Sequence, residues 1–128
     1  MSIRKGSLES GFALNDFKLR VSRGSEYMTS IKEFQNLMHR LYFIRDSKRG
    51  AKATHEWLKE EVDELYEAIE TINREGIAEE LADVLAWLAS LANVLEVNLE
   101  EAALRKYAGG CPKCGSSPCI CTSERKKP

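Results

Sequence analysis

Apolar residues recur along the chain at steps of three and four, with no convincing strand-like alternation anywhere, and this spacing is that of helices carrying one apolar stripe. The first stripe runs Ile31, Phe34, Leu37, Met38, Leu41 and Ile44. It follows Ser30-Ile-Lys-Glu33, a capping box in which the Ser hydroxyl and the Glu carboxylate satisfy backbone donors at a helix start. The basic, glycine-containing stretch Arg45-Asp-Ser-Lys-Arg-Gly50 is expected to stop this helix. A second helix is predicted over about Thr54 to Arg74, with Leu58, Val62, Leu65, Ile69 and Ile72 on one face and Gly76 placed to end it. A third covers about Ile77 to Leu95 and carries Leu81, Val84, Leu85, Leu88, Leu91 and Leu95. Asn98, with Glu101 three residues on, caps a short fourth helix that ends before Gly109-Gly110.

Helices of this length with short connections predict an all-α fold, an antiparallel helical bundle. The third helix is nearly apolar all round over Val84 to Leu95, Trp87 included, which calls for burial on more than one side. A homo-oligomer, dimer or tetramer, would supply the missing partner and complete the bundle. Residues 1–28 mix Gly, Ser and charge with scattered apolar positions and read as a flexible N-terminal arm. Residues 29–108 form the helical domain, and 109–128 a cysteine knuckle with a basic tail.

At 128 residues the chain suits one core. Nineteen Lys and Arg against twenty Asp and Glu leave a net charge of -1, so no overall field draws in nucleic acid or an anionic membrane. The apolar run from Leu81 to Leu95 is broken by Asp83 and Asn93, well short of the roughly 18 apolar residues of a membrane span. The opening residues MSIRKGSLESG are basic but precede no apolar run of signal-peptide length, so a cytoplasmic protein is expected.

Two acidic motifs change the picture from a plain bundle to a site. Glu60-Glu-Val-Asp-Glu64 reads E-E-x-x-E, and Glu80-Leu-Ala-Asp83 reads E-x-x-D, both on predicted helices. Residues three apart share one side of a helix, so Glu61 pairs with Glu64 and Glu80 with Asp83. At the helical angle per residue, Glu61 and Glu64 fall about 300° and 240° from Leu58, on the border of the apolar stripe, and Glu80 and Asp83 flank the stripe of the next helix. A hairpin of the two helices would bring four carboxylates to one edge of the core. Like charges packed so closely repel unless a cation sits between them. Hard oxygen donors suit Mg²⁺, which binds through a few carboxylates plus substrate phosphates. A single Glu here is as well explained by a solvated helix face; two paired motifs on consecutive helices are not.

With its fifteen-residue spacer, the set Glu60-Glu-Val-Asp-Glu64 and Glu80-Leu-Ala-Asp83 resembles the MazG-like branch of the all-α NTP pyrophosphatases, over roughly residues 30–107. The resemblance implies an oligomeric helical bundle that binds Mg²⁺ and cleaves a nucleoside triphosphate to a monophosphate and pyrophosphate. Carried over by position, Glu61, Glu64, Glu80 and Asp83 become Mg²⁺ ligands and Glu60 orients or deprotonates the attacking water, with Glu60 and Glu61 the catalytic pair. Lys106 matches a family Lys after the last core helix and is a phosphate contact, although the Asn and Arg that often follow it are not evident. Lys48 and Arg49 are alternative phosphate contacts, or ordinary solvated charges. Trp57 either stacks on a base or packs in the core. His39 and His55 read as surface histidines.

Cys111-Pro-Lys-Cys114-Gly-Ser-Ser-Pro-Cys119-Ile-Cys121 is C-x2-C-x4-C-x-C. Four thiolates so bunched can close around Zn²⁺ in a structural site, with iron, an iron-sulfur cluster and disulfides as the other readings. Basic residues follow, Glu124-Arg-Lys-Lys127, but only Tyr107 accompanies the cysteines as an aromatic, which speaks against nucleic acid. Two further readings stay open: a non-catalytic helical module that binds a partner or nucleic acid through its knuckle, and a related phosphohydrolase acting on phosphoribosyl-ATP or dUTP.

Overall fold

A computed structural model describes residues 30–122; the N-terminal arm and the basic run 124–127 lie outside them. Three helices, α1 (Ile31–Glu70), α2 (Arg74–Val94) and α3 (Leu99–Tyr107), account for the regular structure, and no strand occurs among the described residues. The all-α expectation holds.

The predicted break at Arg45–Gly50 is a kink rather than a loop. Two helical segments meet there at Gly50, the residue inside Ile31–Glu70 that leaves helical geometry, at φ 87 and ψ 168, so the expected stop is present without an intervening loop. A side chain is strained there, whereas glycine is not. Polar groups clasp the two halves together: Thr54 Oγ1 donates to the Gly50 carbonyl at 2.7 Å, and Arg49 Nη1 donates to Asp46 Oδ1 at 2.8 Å and to Thr54 Oγ1 at 3.3 Å. Asp46 and Thr54 are both buried.

The α1–α2 turn falls earlier than predicted. Helix α1 closes at Thr71, Ile72 takes a left-handed φ of 52, and Asn73 caps α2 by accepting from the Gly76 amide at 3.1 Å. Gly76 therefore lies in the first turn of α2 instead of ending α1, because the Asn73 side chain outcompetes it as a stop signal. The caps at Ser30 and Asn98 form as expected, accepting from the amides of Glu33 and Glu101.

The second half of α1 runs antiparallel to α2, with Trp57 stacked on Trp87 and Glu61 and Glu64 facing Glu80. The first half of α1 crosses the C-terminal half of α2, where Met38, Ala86 and Ala89 form the core cluster with Phe34, Leu37 and Tyr42 packed around them. Small side chains on α2 let the helices approach closely. Gln35 ties this end together: its Nε2 donates to Asn93 Oδ1 and to the Val97 carbonyl, its Oε1 accepts from the Leu99 amide, and Asn93 Nδ2 donates back to the Gln35 carbonyl. Helix α3 is thus pinned beside the start of α1, where Glu100 Oε1 accepts from the Lys32 amide at 2.9 Å.

The predicted leucine stripes are not the buried faces. Helix α1 turns Thr54 and Glu61 inward, and α2 turns Ala86, Trp87, Ala89, Ser90, Ala92 and Asn93 inward. Val62, Ile69, Leu81, Leu85, Leu88 and Leu95 stay exposed. No described helix is long and apolar enough to cross a membrane.

Candidate functional site

The inward polar face of α1 carries Glu61 and Glu64 one turn apart, because a three-residue step keeps both on the side that meets α2. Across the hairpin α2 presents Glu80. A carboxylate oxygen from each of Glu61, Glu64 and Glu80 lies within 4.8 Å of the others. Glu61 is completely buried, while Glu64 and Glu80 are half-buried at the rim. Asp83 follows one turn along α2, half-buried and outside that triplet.

Such a donor set fits a hard divalent cation. It offers only oxygen, and it concentrates negative charge where little water screens it. Both supporting elements are helices, so the three carboxylates are carried by regular backbone rather than by a loop.

One turn before Glu61, the Trp57 indole stacks on that of Trp87, with ring centroids 5.8 Å apart and planes at 12°. Trp57 thus spends one face on core packing. Arg49 sits with its guanidinium carbon 4.8 Å from the Trp87 ring centre and only 15% of its side chain exposed, anchored to Asp46. Lys48 and Glu60 are exposed on α1. Lys106 is exposed on α3, its Nζ 6.0 Å from the ring centre of neighbouring Tyr107. His39 stacks on Phe43, and His55 borders an open cleft of about 420 Å³ between Ala51, Ala53, Leu91 and Leu95. Asp46, Thr54 and Ser90, all buried, escaped the sequence reading. The signal for the first two was the pair Asp46 and Arg49 three apart beside a glycine that breaks the helix.

The four cysteines form a second cluster, also within 4.8 Å of one another. Backbone amides of Cys114 and Lys113 hold the Cys111 thiol below its ordinary value, and those of Ile120 and Ser116 bring Cys114 down to about 6. Hydrogen bonds shared with Cys119, Cys111 and Cys114 push Cys121 up to about 12, as expected where neighbouring sulfurs share protons.

Comparison with protein-family models matches residues 49–115 to the MazG nucleotide pyrophosphohydrolase domain. The chain belongs to the MazG family. All four candidate carboxylates fall inside the matched stretch, which starts later than the sequence resemblance suggested and runs past α3 into the knuckle. No curated protein matches the chain. For a MazG domain, nucleotide pyrophosphohydrolase chemistry is the general expectation.

Proposed function

We propose that the chain is a Mg²⁺-dependent nucleoside triphosphate pyrophosphohydrolase, which consumes one water and releases a nucleoside monophosphate and pyrophosphate. The observation that carries this reading is the convergence of Glu61, Glu64 and Glu80 within 4.8 Å across the α1–α2 hairpin of a MazG domain. These three, with Asp83, would hold the ion. Bound there, Mg²⁺ supplies charge neutralisation for the phosphates and a lowered pKa for a coordinated water. Glu60, exposed and next to Glu61 in sequence, would take the water's proton in this reading. Lys48 and Lys106, both exposed, would be the phosphate contacts in this reading, and Arg49 would join them only by leaving Asp46. Phosphoryl transfer runs on positioning and charge stabilisation, so no covalent nucleophile is needed. The four cysteines take no part in the reaction.

The working unit in this reading is a homodimer or homotetramer in the cytoplasm. The support is the outward leucine face of α2: Leu81, Leu85, Leu88 and Leu95 are all more than a third exposed, while the inward face is lined with Ala, Ser and Asn. A second copy of the same face is a fitting cover for it.

The deciding experiment is pyrophosphate release from a panel of canonical, deoxy and damaged triphosphates with and without Mg²⁺. Hydrolysis that needs Mg²⁺ and drops at least 100-fold in Glu61→Gln, as losses at a positioned charge do, supports the reading. Absence of hydrolysis across the panel by folded wild-type protein would sink it.

A further inference from the structure

The segment after α3 folds without a hydrophobic core. Residues 109–122 are exposed or at most half-buried, and the apolar residue within the motif, Ile120, is 68% exposed. Two backbone hydrogen bonds shape the turn, Cys111 N–H to the Ser116 carbonyl at 3.0 Å and Gly115 N–H to the Cys111 carbonyl at 2.7 Å. Gly110 and Gly115 adopt φ of 108 and 76, and a Cβ on Gly110 would sit 3.0 Å from the Gly115 carbonyl oxygen. The chain doubles back this tightly for one visible result, which is that all four sulfurs meet.

The spacing of the sulfurs identifies what they can hold. Cys111 and Cys121 Sγ are 3.8 Å apart, and Cys114 and Cys119 Sγ 3.9 Å. Ligands at the zinc–thiolate distance of about 2.3 Å, placed at the corners of a regular tetrahedron, stand about 3.8 Å apart along each edge. A disulfide requires about 2.0 Å. A polynuclear iron–sulfur cluster spreads its thiolates over several irons, so one central ion fits the compact set better.

Three of the four sulfurs lie where backbone amides favour a thiolate. Amides of Lys113, Ile120 and Cys121 point at the sulfurs of Cys111, Cys114 and Cys119, each at 3.4 Å. Such donors orient thiolate ligands and offset the negative charge that four of them leave on a divalent ion. Among divalent ions that accept a tetrahedral sulfur set, zinc binds more tightly than ferrous iron.

We infer that Cys111, Cys114, Cys119 and Cys121 bind one Zn²⁺ in a closed, structural site, and that this ion supplies the folding energy of residues 109–121. Four protein thiolates fill the tetrahedron, so no position is left for substrate or water. The family match ends at residue 115, leaving Cys119 and Cys121 beyond it. The site thus straddles the end of the matched stretch, with Cys111 and Cys114 inside it, and shares no residue with the carboxylate centre.

The test uses the full chain purified without chelators. Metal analysis should find about one zinc per chain, and cobalt exchanged into the site should show the intense visible absorption of tetrahedral thiolate coordination. Cys114→Ser with Cys119→Ser should bring zinc below a tenth per chain and speed proteolysis between 109 and 121 by roughly tenfold or more, with the helical circular dichroism signal and any Mg²⁺-dependent hydrolysis unchanged. Retention of zinc by that double variant overturns the assignment. So does iron at one or more per chain, or wild-type protein with neither metal nor titratable thiols.

Discussion

Trp57 and Trp87 stack across the α1–α2 hairpin, one turn from Glu61 on the first helix and one turn from Asp83 on the second. The carboxylate level and the aromatic level are thus adjacent rungs of one ladder. Trp87 is 1% exposed and is the largest fully buried side chain among the described residues. Trp87→Ala should cost about 3–5 kcal/mol, the range for emptying a buried aromatic site. Urea unfolding followed by circular dichroism measures this directly, and a loss below about 1 kcal/mol would mean that the stack is not holding the hairpin.

If the carboxylate triplet binds Mg²⁺, the ion should stabilise the fold as any ligand of the native state does. At Mg²⁺ about 100-fold above its dissociation constant the gain is about 2.7 kcal/mol, read as a rise in Tm of several degrees. Glu61→Gln keeps the shape and removes a charge, so it should abolish most of that rise. An equal rise in both proteins would move the binding site elsewhere.

The kink at Gly50 separates backbone strain from packing. A Cβ there meets nothing within 4 Å, so Gly50→Ala adds no clash and pays only for φ 87. The expected loss is about 1–3 kcal/mol by thermal or chemical denaturation. A neutral or stabilised variant would show that α1 can run straight, contrary to the clasp formed by Asp46, Arg49 and Thr54.

Light scattering behind size exclusion should give a mass at least twice the 14.5 kDa chain. Leu81→Glu with Leu85→Glu, which places charge on the outward face of α2, should shift that mass toward the monomer. Wild-type protein running at the chain mass at micromolar concentration would remove the reason offered for the exposed leucines.

Helix spacing made the fold class legible, and the capping residues Ser30 and Asn98 marked two helix starts correctly. Gly50 does mark the meeting of two helical segments, whereas Gly76 misled because glycine is a strong stop signal by itself and the Asn73 side chain, bonded to the Gly76 amide, starts the next helix instead. The acidic triplet was legible because carboxylates at three-residue steps share a helix side whatever the tertiary packing. Which side faced inward was not. Hydrophobicity points to the leucine stripes as the core, whereas Glu61 is completely buried and Leu85 is 43% exposed. Burial follows pairing as well as apolarity, and a chain that packs against more than one neighbour has more than one inside.

The Gln35 network bears on where a minimal version of this protein can begin. The stretch shared with the MazG family opens at residue 49, yet Gln35, Met38, Phe34 and Leu37 all precede it and bind or pack against α2 and α3. An expression boundary drawn at 49 would strip Asn93 and the α3 amide of their partner and leave Ala86 and Ala89 facing water. The autonomous folding unit is longer than the homologous one, and truncation studies should start no later than Ser30.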